Sequence, residues 1–301
     1  MSDATAGTPA PRFDRRLLLG ILFMCGSGAL FPVMNGLVKQ LSAGYESPQI
    51  VWARTLGHLI FVLLLFAPRR GIGIIRSNRL GWQVGRSLLL LVSTSCFFYA
   101  VQFVPLAKAA SISFMAPLLV TVLAVPILGE RIGIHRLGAV LAGLVGVLIV
   151  IRPGTEVFQW ASLLILCSAA CYGLYQIFTR RVAGADAPEV SVVYSALVGT
   201  LVMTCLVPFF WTTPQSLKDI AILTSLGIFG GLGHYCVAKA MTYAAANVLS
   251  PFQYFQMVGS VIVGFVMFHE VPDGYTWLGA AVIIASGLYI GWNESRKPRA
   301  A

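Results

Sequence analysis

The sequence predicts an all-α integral membrane protein, with ten transmembrane helices arranged as two inverted five-helix repeats. The first observation is composition: the 301 residues are 57% hydrophobic and only 11% charged, whereas a soluble domain carries about 25% charged residues. The second is that ten apolar segments are each long enough to cross a bilayer, which needs about 20 residues. The third is an internal repeat, because features of the first half return about 140 residues later.

The ten predicted spans follow one another along almost the whole chain. The second span has the weakest hydropathy because Arg54 and His58 interrupt it. The fifth span is short, and we expect Arg136 to extend outward from its end. The first span is too long for the core of a signal peptide, so we expect it to be a retained helix. The spans lie at residues 17–39, 48–67, 80–103, 106–128, 134–151, 157–179, 188–211, 217–239, 246–268 and 274–293.

The two copies of the repeat are predicted at residues 17–153 and 154–293. Glu130 and Glu270 are 140 positions apart, and each lies in a short hinge before the last helix of its copy. Since five is an odd number, the second copy must enter the membrane from the side opposite to the first. Inverted repeats of this kind form two rocking halves, with a substrate site between them near the bilayer midplane.

The distribution of basic residues predicts the orientation of the helices. Of the 21 lysines and arginines, fourteen fall in the tails and one set of alternate loops, four in the other set and three inside spans. Because cytoplasmic loops carry the excess of basic residues, both termini should be cytoplasmic. Residues 1–16 are then a disordered cytoplasmic tail and residues 294–301 a second one. The net charge of +10 therefore reflects membrane orientation, and we expect no nucleic-acid partner.

All six cysteines lie within apolar runs, which argues against a disulfide framework. Cys167 and Cys171 are one helical turn apart and could share a soft metal ion. No third ligand is near them in the sequence, so we interpret both as small buried side chains and predict no metal site.

Several short motifs resemble the EamA repeats of the drug/metabolite transporter superfamily. Arg54 and Arg86 also occupy positions where that family often has arginine. The sequence departs from the family pattern at Ala244 and its neighbours, where proline is common, and at His269, where glycine is common. The motifs are Pro105-Leu106-Ala107, Pro117-Leu118, Leu128-Gly129-Glu130-Arg131 and the glycine-spaced run 138–151 in the first copy, and Ser250-Pro251, Glu270, Gly279-Ala280 and Gly287 in the second.

The resemblance implies a ten-helix carrier in the bacterial inner membrane that moves a small-molecule substrate. Among members, the chain is most similar to amino-acid exporters of the YddG type, which implies export of aromatic and other amino acids. Other members handle S-adenosylmethionine, riboflavin or purines, and import of such metabolites is the alternative. Small residues spaced four apart on the fifth and tenth helices indicate tight packing at the periphery, as a scaffold or a dimer surface, so we expect a monomer or a homodimer.

Arg54 and His58 are the first candidates for substrate binding. They are four residues apart and therefore share one helix face. A charge at this depth is costly, so it faces protein or a wet cavity. Arg54 could bind a substrate carboxylate, but it could equally be a structural arginine that binds backbone carbonyls.

Five further residues are candidates for lining the substrate cavity. Tyr175 lies in the sixth helix, and Gln253 and Gln256 share a face of the ninth. Amides, hydroxyls and aromatic walls suit a zwitterion with an apolar side chain, although interfacial tyrosines and interhelical hydrogen bonds would explain the same residues. His234, in the glycine-rich eighth helix, could line the path, sense protons or simply pack. Tyr99, late in the third helix, is a weaker candidate.

The core of every predicted span lacks aspartate and glutamate. A membrane enzyme would need convergent carboxylates, a metal-binding set or a nucleophile with its base, and proton- or sodium-driven carriers usually keep a carboxylate at depth. We therefore predict a transporter without catalytic residues or cofactor, and neither an enzyme nor a scaffold subunit. Transport should follow the substrate's own gradient or couple weakly through His58 or His234. The sequence is compatible with amino acids and heterocycles, and with either direction.

Overall fold

The computed structural model describes residues 15–128, 133–155, 158–182, 185–244 and 246–295. Within these ranges the protein is all-α, and ten helices or helix pairs are long and apolar enough to cross a membrane. The predicted fold class is therefore confirmed. The first hinge around Glu130 and most of both predicted tails lie outside the described residues.

Twelve α-helices build the ten spans, and their ends differ from the predicted ends by a few residues. Short 3₁₀ turns follow the second and eighth helices, at Gly71–Ile75 and Val207–Phe210. The helices are α1 Arg15–Leu41, α2 Ser47–Arg70, α3 Leu80–Val101, α4 Leu106–Ser113, α5 Ala116–Leu128, α6 Ile134–Ile151, α7 Ala161–Val182, α8 Pro188–Leu206, α9 Leu217–Tyr243, α10 Ala246–Gln253, α11 Phe255–Phe268 and α12 Gly274–Ser295.

The fourth and ninth spans are each broken in two, whereas the sequence predicted one continuous helix for each. The fourth divides between α4 and α5, where the Met115 N–H donates to the Ile112 carbonyl at 3.0 Å. The ninth divides at Tyr254, whose N–H donates to the Pro251 carbonyl at 3.3 Å. Both are three-residue bonds that tighten the chain locally. The rings of Phe114 and Tyr254, 140 positions apart, pack edge to face with their centroids 4.9 Å apart. The two breaks are therefore in contact.

The pairing of helices shows the inverted repeat directly. α1, the first helix of the first copy, packs on α9, the third helix of the second copy, and α3 packs on α7 in the reciprocal arrangement. α2 pairs with α8, and α6 pairs with α12. Exchanging the two copies converts the first two contacts into each other and leaves the last two unchanged, as a two-fold axis in the membrane plane requires.

Two glycines allow α2 and α9 to pack backbone to backbone. A Cβ added to Gly57 would lie 2.9 Å from the Gly227 Cα, and one added to Gly227 would overlap the Gly57 backbone. α6 and α12 approach in the same way, since a Cβ on Gly146 would lie 3.0 Å from the Gly279 carbonyl oxygen. Small residues at helix contacts are the usual means of close approach within membranes.

The ten spans leave the chain ends on one side of the bundle. We call this the terminus side; it also carries the loop between α2 and α3 and the loop between α7 and α8. The opposite side, which we call the far side, carries the loops after α1, α3, α6, α8 and α11. Each side holds polar contacts between the two copies.

The Gly57–Gly227 contact predicts opposite effects for two glycine-to-alanine substitutions. Gly227→Ala should separate α2 from α9 and lower the thermal unfolding temperature in detergent, as followed by tryptophan fluorescence. Gly138→Ala is the matched control, because a Cβ there meets nothing within 4 Å and alanine favours helix by up to about 1 kcal/mol; it should leave the temperature unchanged or raise it. A Gly227→Ala protein as stable as the unmodified one would contradict the packing described here.

Candidate functional site

Arg54, His58 and His234 form a polar cluster deep in the bundle, which we call the arginine–histidine cluster. Arg54 and His58 lie one turn apart on α2, with Gly57 between them in the sequence. His234 projects from α9. The Arg54 Nη2 lies 3.4 Å from the His234 Nε2. The two imidazoles stack at 5.5 Å between centroids, and Phe31 of α1 meets His234 edge-on at 5.2 Å. The structure thus brings together three of the seven predicted site residues.

Arg54 keeps part of its hydrogen-bonding capacity unused. Its side chain is buried, with 6% of its surface exposed, and its Nε has no hydrogen-bond partner. The guanidinium lies over the Phe98 ring at 5.8 Å, and in the described ranges no carboxylate forms an ion pair with it. His58 Nε2 also has no partner. Since a buried charge is normally paired and hydrogen-bonded, these donors could bind an anionic group.

Arg86 is a buried arginine whose hydrogen-bond donors almost all have partners. It donates to the Thr179 hydroxyl at 3.0 Å, the Gln83 side chain at 3.0 Å, the Ser191 carbonyl at 2.8 Å and the Tyr175 hydroxyl at 2.8 Å. These bonds tie α3 to α7 and α8. Arg86 is therefore structural, and it differs from Arg54 in the number of donors that already have partners.

Tyr175 borders the arginine–histidine cluster but also supports the helix packing. Its hydroxyl accepts the bond from Arg86, while its ring stacks on Tyr172 at 5.6 Å. Both tyrosine hydroxyls are close enough to Arg54 to interact with it electrostatically. Tyr172 is 36% exposed, so part of its ring is not covered by protein. We call this pair the tyrosine stack.

The two predicted glutamines lie at the break of the ninth span. Gln253 is exposed at the end of α10, and Gln256 is half-buried in the first turn of α11. Gln256 packs by its backbone against α1, because a Cβ on Gly28 would lie 3.1 Å from the Gln256 nitrogen. Phe31 of α1 and Phe98 of α3 contact the arginine–histidine cluster, and within the described residues no hydrogen bond or ring contact joins either glutamine to it.

Tyr99 faces a different neighbourhood from the other candidates. Its ring packs with Phe103 at 5.5 Å and with Trp160 at 6.1 Å, and it is 40% exposed. Phe98, the residue before it, is the one that faces Arg54. A partly exposed group of aromatic rings at a helix end is typical of the membrane–water boundary.

The cavity beside the cluster is small in this conformation. It measures about 10 Å³ and is bordered by Arg54, Thr55, His58, Thr94 and Ser195 among others, which is room for about one water. A much larger cavity of about 280 Å³ lies at the far side, between α4, α11 and α12. The second cavity includes Lys108, which was not among the candidate residues predicted from the sequence.

Polar contacts join the two copies at the far side. Glu270, in the loop after α11, accepts from the Lys39 ammonium of α1 and from the Leu106 N–H at the start of α4 at 2.9 Å. Lys39 also donates to the Val104 carbonyl at 2.9 Å. The sequence did not predict these contacts of Glu270, because Leu106 and Lys39 are 164 and 231 positions away from it.

A second set of polar contacts joins the copies at the terminus side. Asp186, in the loop after α7, accepts from Ser77, from the Asn78 N–H at 2.7 Å and from the Gln83 amide at 2.9 Å. Burial raises the pKa of Asp186, but these hydrogen bonds outweigh it and hold that pKa below its ordinary value. Asp186 thus acts as a charged acceptor between the first and second copies.

The spacing of the cysteines in the sequence did not reveal that a third cysteine lies near Cys167 and Cys171. Cys96, on α3, and Cys171 both lie near Cys167. Cys96 is 71 positions before Cys167, so only the packing of α3 on α7 reveals this proximity. In the part of the chain that the structure describes, the arrangement does not form a group suited to a metal ion.

Comparison with known proteins identifies the family. The model of the EamA-like transporter family matches residues 18–152 and again residues 159–292, so the chain belongs to this family, within the drug/metabolite transporter superfamily. A riboflavin transporter of Vibrio cholerae is 27% identical over 94% of this chain and 96% of its own length. An S-adenosylmethionine uptake transporter of Rickettsia prowazekii is 29% identical, with 93% and 94% covered.

Two further comparisons extend this result. A pseudopaline exporter of Pseudomonas aeruginosa is 26% identical over 89% of this chain and 94% of its own length. One solved crystal structure superposes with a TM-score of 0.62 at 20% identity, covering 94% of this chain and 99% of the other; it supports the fold alone. These relatives are named as transporters of riboflavin, S-adenosylmethionine and pseudopaline. They therefore do not support the narrower resemblance to amino-acid exporters.

The lowered pKa of Asp186 predicts a pH-dependent stability difference. A carboxylate with a folded-state pKa below its unfolded value of about 3.9 stabilises the fold above that value, and the contribution disappears as pH falls through the folded-state pKa. Asp186→Asn should therefore lower the unfolding temperature at pH 7, and the deficit should shrink below about pH 4. Glu46→Gln, which alters an exposed carboxylate at the far side, is the control. A deficit that stays constant from pH 7 to pH 3 would contradict this.

Proposed function

We propose that this member of the EamA-like transporter family is a secondary transporter that exports small carboxylate-bearing metabolites, amino acids including aromatic ones, by alternating access between its two copies. The observation that carries the proposal is Arg54, a buried cation with an unpartnered Nε beside the tyrosine stack. Arg54, His58, Tyr175 and His234 form the proposed binding region.

A substrate carboxylate would complete the hydrogen bonding of Arg54. The planar guanidinium binds a carboxylate through two parallel bonds, and charge-assisted bonds are strongest where water is excluded. The exposed face of Tyr172 offers apolar surface for the rest of the substrate. A molecule that combines a carboxylate with an apolar or aromatic part therefore fits both features.

Alternating access follows from the two sets of contacts between the copies. Opening of the far side requires Glu270 to leave Lys39 and the start of α4, while opening of the terminus side requires Asp186 to leave Ser77 and Gln83. The Gly57–Gly227 contact can persist as the surface on which the halves rock. We propose that the substrate shifts the balance between these states because it binds them differently.

The remaining candidates have separate places in this proposal. Gln253 and Gln256 lie on the terminus-side half of the ninth span, where they would border the path towards the cluster. Tyr99 would border the far-side exit. The excess of lysine and arginine on the terminus side supports a cytoplasmic location of both chain ends, in the bacterial inner membrane.

A second candidate function is uptake of S-adenosylmethionine or riboflavin. The observation that favours it is the likeness to transporters with those names, which covers 93–94% of this chain. S-adenosylmethionine combines a carboxylate with a planar base, and riboflavin has a planar ring system, so the tyrosine stack suits both. The carboxylate preference separates them, because only the former would depend on the charge of Arg54.

Transport assays with Arg54→Gln test the site. We expect the variant, reconstituted in liposomes, to carry aromatic amino acids or S-adenosylmethionine about 10–100-fold more slowly, because a hydrogen bond to a charged group contributes about 1.5–3 kcal/mol. A substrate methyl ester should be affected little, and riboflavin should be unaffected. Arg76→Gln, which alters an exposed arginine of the terminus side, is the matched control. Normal transport of the free acids by correctly inserted Arg54→Gln would exclude the proposed role.

The lack of acidic residues in the span cores predicts how transport is driven. Proteoliposomes with an imposed pH gradient should not accumulate labelled substrate strongly against its own gradient, because no deep carboxylate is present to carry protons. A preloaded substrate gradient should drive exchange without a pH difference. Strong uphill accumulation that depends on the pH gradient would overturn this prediction.

A further inference from the structure

The far-side cavity of about 280 Å³ has the volume of a binding site and is lined by both copies. The first copy contributes Lys108 from α4 and Arg152 after α6, and the second contributes Ser260, Glu270 and Thr276. None of these residues borders the small cavity at the arginine–histidine cluster.

The charges in and beside this cavity do not balance. Lys39 pairs with Glu270, and Arg152 pairs with Asp273. Lys108 has no carboxylate partner in the described residues; its Nζ lies 3.4 Å from the Gln159 Oε1, which is long for a hydrogen bond. An ammonium group has three donors. The cavity therefore carries one uncompensated positive charge, held by a side chain of which only 5% is exposed.

We propose that this cavity is a second binding site, for a small carboxylate or phosphate anion held by Lys108. Arg152, which belongs to the same lining, also has a buried Nε without a hydrogen-bond partner. Burying a cation without a counter-charge is costly, and an anion on Lys108 removes that cost. The proposal stands independently of transport through the arginine–histidine cluster.

The rest of the lining selects a ligand with a short apolar part. Pro105, Val261 and Pro272 border the cavity together with the polar groups. Ser260 and Thr276, which are 2% and 3% exposed, add hydroxyl-bearing side chains. A free short-chain carboxylate or phosphate fits this chemistry, and so does the headgroup of an anionic lipid, since the cavity lies at the end of the spans.

Because the two copies together form the cavity, its ligand stabilises the arrangement in which the far side is closed. A ligand that binds only the assembled site raises the unfolding temperature in a saturable manner. The test is thermal unfolding of the purified full-length protein in neutral detergent at constant ionic strength. The probes are sodium butyrate, inorganic phosphate and mixed micelles of phosphatidylglycerol, with phosphatidylcholine micelles as the neutral comparison.

Four variants locate the site. Lys108→Met keeps the apolar stem and removes the charge, and it should raise the half-saturating anion concentration at least about tenfold, or abolish the response. Lys218→Met alters an exposed lysine of the far side and should titrate like the unmodified protein, whereas Arg54→Met reports any anion that binds at the central cluster instead. Val261→Phe leaves every charge in place but fills the cavity, and it tests the site should Lys108→Met fail to fold.

The outcomes separate the two ligand sources and the two sites. A response to butyrate or phosphate assigns a solute site, and a response to phosphatidylglycerol alone assigns a lipid headgroup. The proposal is overturned if no anion stabilises the protein, if Lys108→Met or Val261→Phe titrates normally, or if Arg54→Met is the variant that loses the response. The last result would place the anion at the central cluster and leave the proposed transport site intact.

Discussion

The backbone contact between Gly57 and Gly227 is the constraint on which the centre of this protein depends. It brings α2 of the first copy against α9 of the second with no side chain between them. Arg54 and His58, which lie just before and just after Gly57 on α2, therefore both contact the His234 side chain. A residue with a Cβ at either glycine would widen the gap and separate the imidazoles. The polar cluster therefore depends on the close packing of α2 and α9. That packing is possible because Gly57 and Gly227 each carry a hydrogen atom in place of a Cβ.

Much of the fold was predictable because its main signals are averages over many residues. Hydropathy over about 20 residues locates a span whatever the order of its residues, and an odd number of helices in each copy forces the inversion. The breaks at Phe114 and Tyr254 were not predicted, since each depends on a few local bonds. Nothing in the sequence indicated that the two breaks would touch.

The candidate site was predicted less completely, because contacts between distant positions decide what a residue does. Arg54 and Arg86 look alike in the sequence, as single arginines in apolar runs. Packing gives Arg86 a partner for each of its three nitrogens and leaves one nitrogen of Arg54 without any. In the same way, nothing in the sequence singled out Lys108. Glu270 and Asp273 lie beside it but pair with other cations, so Lys108 is left without a carboxylate partner in the described residues.

The ring contact between Phe114 and Tyr254 has an energetic consequence. These residues occupy equivalent places in the two copies, yet only the tyrosine carries a hydroxyl, and it abuts Gly287 of α12. A carrier made of two identical halves would rest equally often facing either compartment. Here the duplicated halves differ at this point of contact, so the sequence does not impose equal free energies on two opposite conformations of the kind that alternating access would need.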